Sequence, residues 1–417
     1  MQNDTTAKRA QKLYIIQAAV EYLVSILVAG SFLATLTNEL GFSDSLTGIV
    51  SSIISLGCLF QLLAVLIRKR IKTNVIILSL VSQILFLLLY VIPLTGAAKP
   101  IKTVLFVAAI VLAYLLYNII HPQKTNWLMS SVGDGERGVF TANKEIVSLV
   151  VGMAFSLGMG ELVDVLAAHG NIRMAFLLCA IVIFALMVWH AVTLFFVPGE
   201  EESGEGQSIK NGFFVFLRNK QLRAAVMVSV LYNVAAYAVR PFLGSYQIKE
   251  LGFGLGFVGV LSIVSSVARI AVSHRWGRYA DRRGFAVMVE KCFFVLSAAW
   301  ICVAFAAPAI GMGAMLLYYI LNGVAMGGIN SAMTNLIYDY VPRENCADAI
   351  AVTQALAGVA GFVSTLIVSP IVTVIQTEGN RVLGLPIYAQ QVLAIIGLLI
   401  TVIAMVFTRV ALIWKRG

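Results

Sequence analysis

The tetrapeptide Glu39-Leu40-Gly41-Phe42 recurs as Glu250-Leu251-Gly252-Phe253, and each copy opens onto an apolar stretch punctuated by Gly and Ser. Sliding the chain by 211 residues also superposes Gly48, Ser51 and Ser55 on Gly259, Ser262 and Ser266. A slide of 209 superposes Thr125, Asn126, Val132, Ala142 and Gly152 on Thr334, Asn335, Val341, Ala351 and Gly361. Two matches at nearly one offset, each joining the same ordinal apolar segment of its half, mark a duplicated unit.

Composition says what kind of unit it is. The 417 residues are 60% hydrophobic and 12% charged, with a mean hydropathy of +0.91, a balance that belongs in a bilayer. Windows of about 20 apolar residues, the length that crosses hydrocarbon, fall at 13–36, 46–67, 74–94, 104–129, 146–167, 174–197, 224–246, 254–274, 285–307, 312–337, 347–375 and 389–413. The sequence thus predicts an all-α membrane protein with twelve transmembrane helices, six to each repeat. Six is even, so both copies enter the membrane from the same side and the repeats are parallel. The expected organisation is an N-terminal half 1–197, a cytoplasmic linker 198–223 and a C-terminal half 224–417. The linker is rich in Gly and Glu and then amphipathic around Phe213, Phe214 and Phe216, as an interfacial helix or a lead-in to the seventh span would be.

The net charge of +10 reports topology. Of the 30 Lys and Arg, 21 fall in the loops and tails on the side of the two termini, including Lys8, Arg9, Lys12, the Arg68–Lys72 cluster, Lys415 and Arg416. The other side has Lys99, Lys102, Arg173, Lys249 and Arg381. This bias places both termini in the cytoplasm, in a cytoplasmic (inner) membrane, and no nucleic-acid partner is needed to explain it. Cys58, Cys179, Cys292, Cys302 and Cys346 read as small buried apolar residues without metal-ligand spacing, so no metal or cofactor is expected. The first apolar stretch is too long for a signal-peptide core and is expected to stay as a helix.

Between the eighth and ninth spans the chain reads His-Arg-Trp-Gly-Arg-Tyr-Ala-Asp-Arg-Arg-Gly-Phe-Ala-Val, residues 274–287. Gly277 and Gly284 suit tight backbone paths, Arg278, Arg282 and Arg283 suit the negative end of a helix dipole, and Asp281 can accept hydrogen bonds. Gly277, Asp281, Arg282 and Gly284 fit the Gly-x-x-x-Asp-Arg-x-Gly core of the loop signature of the major facilitator superfamily, which the chain resembles over its whole length. Phe285 and Ala286 stand where a basic pair usually follows. The resemblance implies the major facilitator fold and a cytoplasmic latch formed by these four residues. The matching place in the first half has Leu66, Arg70 and Thr73, so the implied gate is asymmetric and anchored in the second half. Glu136, Arg137 and Gly138, and Pro342, Arg343 and Glu344, resemble the family's inter-helix loop pattern. The fourth span lacks the arginine, and the fifth the Gly-Pro element, that the family associates with proton-driven drug export.

An ionisable group at the centre of a span costs roughly 2.5–3.5 kcal/mol on insertion scales. Glu21 lies about 13 Å inward of Lys12, and His121 and Lys124 about 10–15 Å from the same surface, at ~1.5 Å per helical residue. The overlap predicts that Glu21 pairs with Lys124 or His121, either as a proton-coupling site or as a permanent ion pair that fixes packing. Pro122 is expected to loosen the helix beside them. In the seventh span, Asn233, Tyr237 and Arg240 share a helical face beside Tyr232. That face reads as solute-binding, with Arg240 offered to a carboxylate or phosphate; alternatively Arg240 snorkels to the interface. Tyr117, Asn118, Asn322 and Asn330 either extend a polar cavity or glue helices together. Arg269 and Glu290 are expected to pair near the inner face.

The expected function is secondary transport of a small polar solute (a sugar, nucleoside-like molecule or organic acid) by alternating access in a monomer, with proton symport as the coupling. Efflux of a drug or metabolite is the alternative within transport. A membrane-embedded enzyme or receptor is the alternative of another class, but no P-loop, His-Glu-x-x-His or Gly-x-Ser-x-Gly is present.

Overall fold

The computed structural model describes residues 2–61, 71–129, 131–132, 137–197, 214, 216–341, 343–382 and 384–414. Its helices are α1 (Gln2–Leu27), α2 (Gly30–Glu39), α3 (Asp44–Phe60), α4 (Ile71–Val91), α5 (Lys99–Met129), α6 (Arg137–Ala168), α7 (Ile172–Phe196), α8 (Lys220–Ser245), α9 (Leu255–Arg283), α10 (Phe285–Phe305), α11 (Gly311–Tyr338), α12 (Arg343–Thr377) and α13 (Ala389–Thr408). π-helical turns at Tyr246–Glu250 and Arg409–Ile413 extend α8 and α13. One departure from the all-α expectation is the antiparallel pair β1 (Arg381–Val382) and β2 (Leu385–Pro386) between α12 and α13. The expectations for Leu66, Arg68 to Arg70, Glu136, linker residues 198–213, Pro342, Lys415 and Arg416 lie outside the described residues, as do those for the side chains of Pro122, Arg137, Arg343, Glu344 and Cys346.

Among the described residues, ten helices are long and apolar enough to cross a membrane, and α1 with α2, bent by 41°, makes an eleventh. The first predicted span is therefore a broken pair. α3 is a shorter apolar helix of 17 residues, and the remainder of the second predicted span falls on residues outside the description.

The repeated tetrapeptide is a helix stop. Gly41 (φ 74°) and Gly252 (φ 66°) both take the left-handed conformation that glycine adopts without a Cβ penalty. Around the first, Gly41 N–H donates to Asn38 O and Phe42 N–H to Thr37 O, each at 2.9 Å; around the second, Leu251 N–H donates to Tyr246 O at 2.9 Å and Phe253 N–H to Gln247 O at 2.8 Å. Carbonyls orphaned at each helix end are thereby satisfied.

Contacts gather the helices into two units. One contains α1, α2, α4 to α7 and residues Gly254–Gly259; the other contains α3, α8, α9 from Val260 onward and α10 to α13. In the first, Tyr90 O–H donates to Leu27 O at 2.6 Å, beside the α1–α2 break. The Asp164 carboxylate on α6 caps the start of α9, accepting from Leu255 N–H at 2.9 Å and Gly256 N–H at 2.7 Å. In the second, Ser55 on α3 donates to Gly358 O on α12 at 2.9 Å, and fully buried Trp300 donates to Thr401 at 3.1 Å. Large apolar side chains such as Phe195, Phe294, Phe305 and Ile367 are mostly exposed, as lipid-facing groups are. Lipid tails solvate such residues as well as another helix does, so close backbone approach and internal hydrogen bonds must hold the bundle.

Gly358 is one such close approach. A Cβ there would lie 2.4 Å from Ser55 O, whereas a Cβ on Gly158 of α6 meets nothing within 4 Å. Alanine normally improves a helix interior by about 1 kcal/mol over glycine. Gly358→Ala is expected to lower the apparent melting temperature of the purified protein by several degrees, while Gly158→Ala leaves it level or raises it. A Gly358→Ala variant as stable as its parent contradicts the packing described.

Candidate functional site

A polar group lies inside the first unit. Gln17 and Glu21 are one turn apart on α1, hence on one face. Lys124 of α5 donates to Glu21 Oε1, with the two side chains 4% and 19% exposed. Gln17 Nε2 donates to the other carboxylate oxygen at 2.8 Å, so both oxygens are engaged. The same amide nitrogen lies 2.8 Å from Nε2 of His190 on α7, which is fully buried. An amide nitrogen only donates, so the ring nitrogen accepts and His190 holds its proton on Nδ1. Gln17 Oε1 and His190 Nδ1 are buried without a hydrogen-bond partner among the described residues. Tyr117 completes the group: its ring centroid is 5.5 Å from Lys124 Nζ and 5.8 Å from that of half-buried His121. Lys144 of α6 donates to the Tyr14 phenol Oη at 3.3 Å behind it.

Glu21 and Lys124 therefore meet as their depths predicted, with the His121 ring tilted against Tyr117 nearby. Asn118 stands apart from them: it donates to Tyr114 O at 2.8 Å and accepts from Gln61 Nε2 at 3.2 Å, a helix-to-chain contact.

The second unit holds another polar group. Arg240 of α8 donates through Nη1 to the Tyr232 phenol Oη at 3.1 Å, and through Nη2 to Asn322 Oδ1 at 3.1 Å and Met326 Sδ at 3.2 Å, both on α11. This is internal bonding rather than snorkelling to an interface. Tyr237, three residues earlier, stands against Gly361 of α12, where an added Cβ would meet its ring at 2.8 Å. Asn233 is half-buried and donates back to Ser229 O at 3.0 Å on its own helix, so it points less into the group than the shared face suggested. Asn330 is exposed, two turns beyond Asn322, and does not join the Arg240 group.

The expected latch is reshaped. α9 continues through Arg283, so Gly277 is helical with open space around it, and the only loop residue is Gly284 (φ 88°) at the start of α10. Arg282 and Arg283 at the C-terminal end complement the dipole and let the helix run on until that glycine stops it. Asp281 and Arg282 are exposed on the last turn. Glu290 forms its ion pair with Arg409, at 3.8 Å, in place of the expected Arg269.

Sequence reasoning missed Gln17, His190, Met326 and Asp44. Asp44, 2% exposed, accepts from Lys249 Nζ at 2.7 Å and Gln376 Nε2 at 2.6 Å. Gln17 was readable as the residue one turn before Glu21, and His190 as an ionisable group within a span. Among the described residues, no cluster of three His, Cys, Asp or Glu could hold a metal ion.

A family model described as the Major Facilitator Superfamily matches residues 14–365. The chain belongs to this superfamily. It is similar to solved structures of a mutant of the nucleoside transporter NupG (14% identity, TM-score 0.72, covering 97% of this chain and 100% of that one) and of a D-xylose-proton symporter (12%, 0.67, 95% and 96%). A bacterial homolog of the human lysosomal transporter Spinster is similar as well (12%, 0.69, 98% and 96%). No curated protein sequence matches. Family and fold make the protein a multi-pass membrane transporter of the major facilitator type, not an enzyme.

Breaking a buried ion pair by removing one partner costs on the order of 3–5 kcal/mol, while removing both is far milder. Lys124→Met is accordingly expected to destabilise the purified protein strongly, and adding Glu21→Gln to restore most of the loss. A double variant as unstable as Lys124→Met shows that the two side chains are not partners.

Proposed function

We propose that this protein is a proton-coupled symporter of a small polar solute, set in the cytoplasmic membrane with both termini in the cytoplasm, whose halves 1–197 and 224–417 expose the site alternately. The basic bias of one set of loops supports the orientation. The fold-level likeness to a proton symporter is compatible with the coupling.

The observation that carries the coupling is the arrangement around Glu21. Beside Lys124 the carboxylate is charge-balanced; moved away from that ammonium into apolar surroundings, a carboxylate takes up a proton. Gln17 fits both states. With Glu21 ionised, its amide nitrogen donates to the carboxylate and to His190, as in the structure. With Glu21 protonated, a half-turn of the amide presents Oε1 to the new O–H and to a proton on His190 Nε2. Each protonation state of Glu21 thus has a hydrogen-bonding partner in Gln17, whereas a permanent ion pair requires one arrangement alone. His121 and Tyr117 flank Lys124 and modulate its hold on Glu21.

Solute binding falls to Arg240, Asn322 and Tyr237, with Asn233 as a weaker contributor. Gating on the cytoplasmic side falls to Gly277, Asp281, Arg282 and Gly284. The test uses proteoliposomes and whichever solute stabilises the purified protein in a screen of sugars, nucleosides and organic acids. Glu21→Gln is expected to abolish accumulation driven by a pH gradient and to leave solute exchange at equal concentrations intact. Undiminished accumulation by that variant would remove Glu21 from the coupling.

A further inference from the structure

Arg240 is a cation inside the bundle whose hydrogen-bond partners among the described residues are all neutral. Tyr232, Asn322 and Met326 accept its hydrogen bonds, and nearby on α11 the Tyr318 phenol is buried and stacked on Trp300 at 5.8 Å between centroids. The ion pairs among the described residues, Glu21–Lys124, Asp44–Lys249 and Glu290–Arg409, leave it without a carboxylate. An internal charge without a counter-charge is costly. Arginine also carries a planar fork that matches a carboxylate or phosphate with two parallel bonds.

The position of Met326 says where such an anion would go. Its thioether sulfur receives two strong donors at once, Arg240 Nη2 at 3.2 Å and Tyr232 O–H at 3.2 Å. A thioether is a weak acceptor, and a methionine side chain is flexible enough to be displaced. Two good donors aimed at a poor, movable acceptor make a place that an oxyanion fills better than sulfur does. Arg240 is only half-buried as a residue.

We propose that the solute carries an oxyanion, a carboxylate or a phosphate group, which displaces Met326 and is bound by Arg240 and Tyr232 with Asn322 holding the guanidinium in place. This rests on the transport reading above and narrows it: a sugar or neutral nucleoside would leave the guanidinium without its counter-charge.

The test is the thermal stability of the purified full-length protein with isosteric pairs, lactate against lactamide and glycerol 3-phosphate against glycerol, with malate and inorganic phosphate added. At least one anion is expected to raise the melting temperature saturably while its neutral counterpart does not; the lactate and malate arms identify a carboxylate, and the two phosphate arms a phosphate. Arg240→Gln is expected to weaken that anion by roughly tenfold or more, and Arg240→Lys to weaken it less. Should Arg240→Gln fail to fold, Met326→Glu decides: it supplies a built-in carboxylate and is expected to lose the anion response. No shift with any anion, equal shifts with the neutral isosteres, or a full response in these variants would overturn the proposal. Counterflow separates it from the transport reading. Exchange of a neutral solute unaffected by Arg240→Gln removes the anion site alone, and an anion that binds but never exchanges across proteoliposomes removes transport alone.

Discussion

The Lys124 ammonium on Glu21 joins α5 to α1 within a membrane-spanning bundle, where neither charge has water to fall back on. An uncompensated charge at that depth is disfavoured by a few kcal/mol, so each must find its partner inside the protein, and the partners then dictate which helices meet. Glu21 draws in Lys124, Gln17 and through it His190, tying α1, α5 and α7 to one point. The rule that fixes the packing also makes the point responsive, because protonation of Glu21 changes what every neighbour must do.

Arg240 is the counterpart in the second unit, with the opposite balance. Glu21 has its opposite charge within the protein; Arg240 has a phenol, an amide and a thioether. In the proposed mechanism the first group, charge-balanced, exchanges a proton, and the second, without a counter-charge among the described residues, takes an anion. A symporter that carries a negatively charged solute together with a proton needs one group of each kind.

The fold was legible because its signals are local. Gly41 and Gly252 reveal themselves as helix stops through repetition, and the long apolar windows mark the helices. What stayed hidden depends on contacts between segments distant in sequence. The break after Leu27 is bridged by Tyr90 from α4, and α9 is capped by Asp164 from α6; neither pairing has a sequence signature. At the site, Glu21 and Lys124 were readable from depth alone, since a buried charge needs a reason. Met326 was not, because nothing distinguishes a methionine that receives two hydrogen bonds from one that fills a gap. The Gly277–Gly284 signature was recognised, but its helical extension was not, because the spacing of the motif is compatible with either a loop or a final helical turn.

The proposed coupling requires protons to move with the solute through the Glu21 group. The direct measurement is the external pH of weakly buffered proteoliposomes when the identified solute is added outside with no pH gradient imposed. Coupled symport predicts an immediate alkalinisation of the outside medium that scales with solute entry and is abolished by a protonophore. Solute entry at a normal rate with no change in external pH would contradict it.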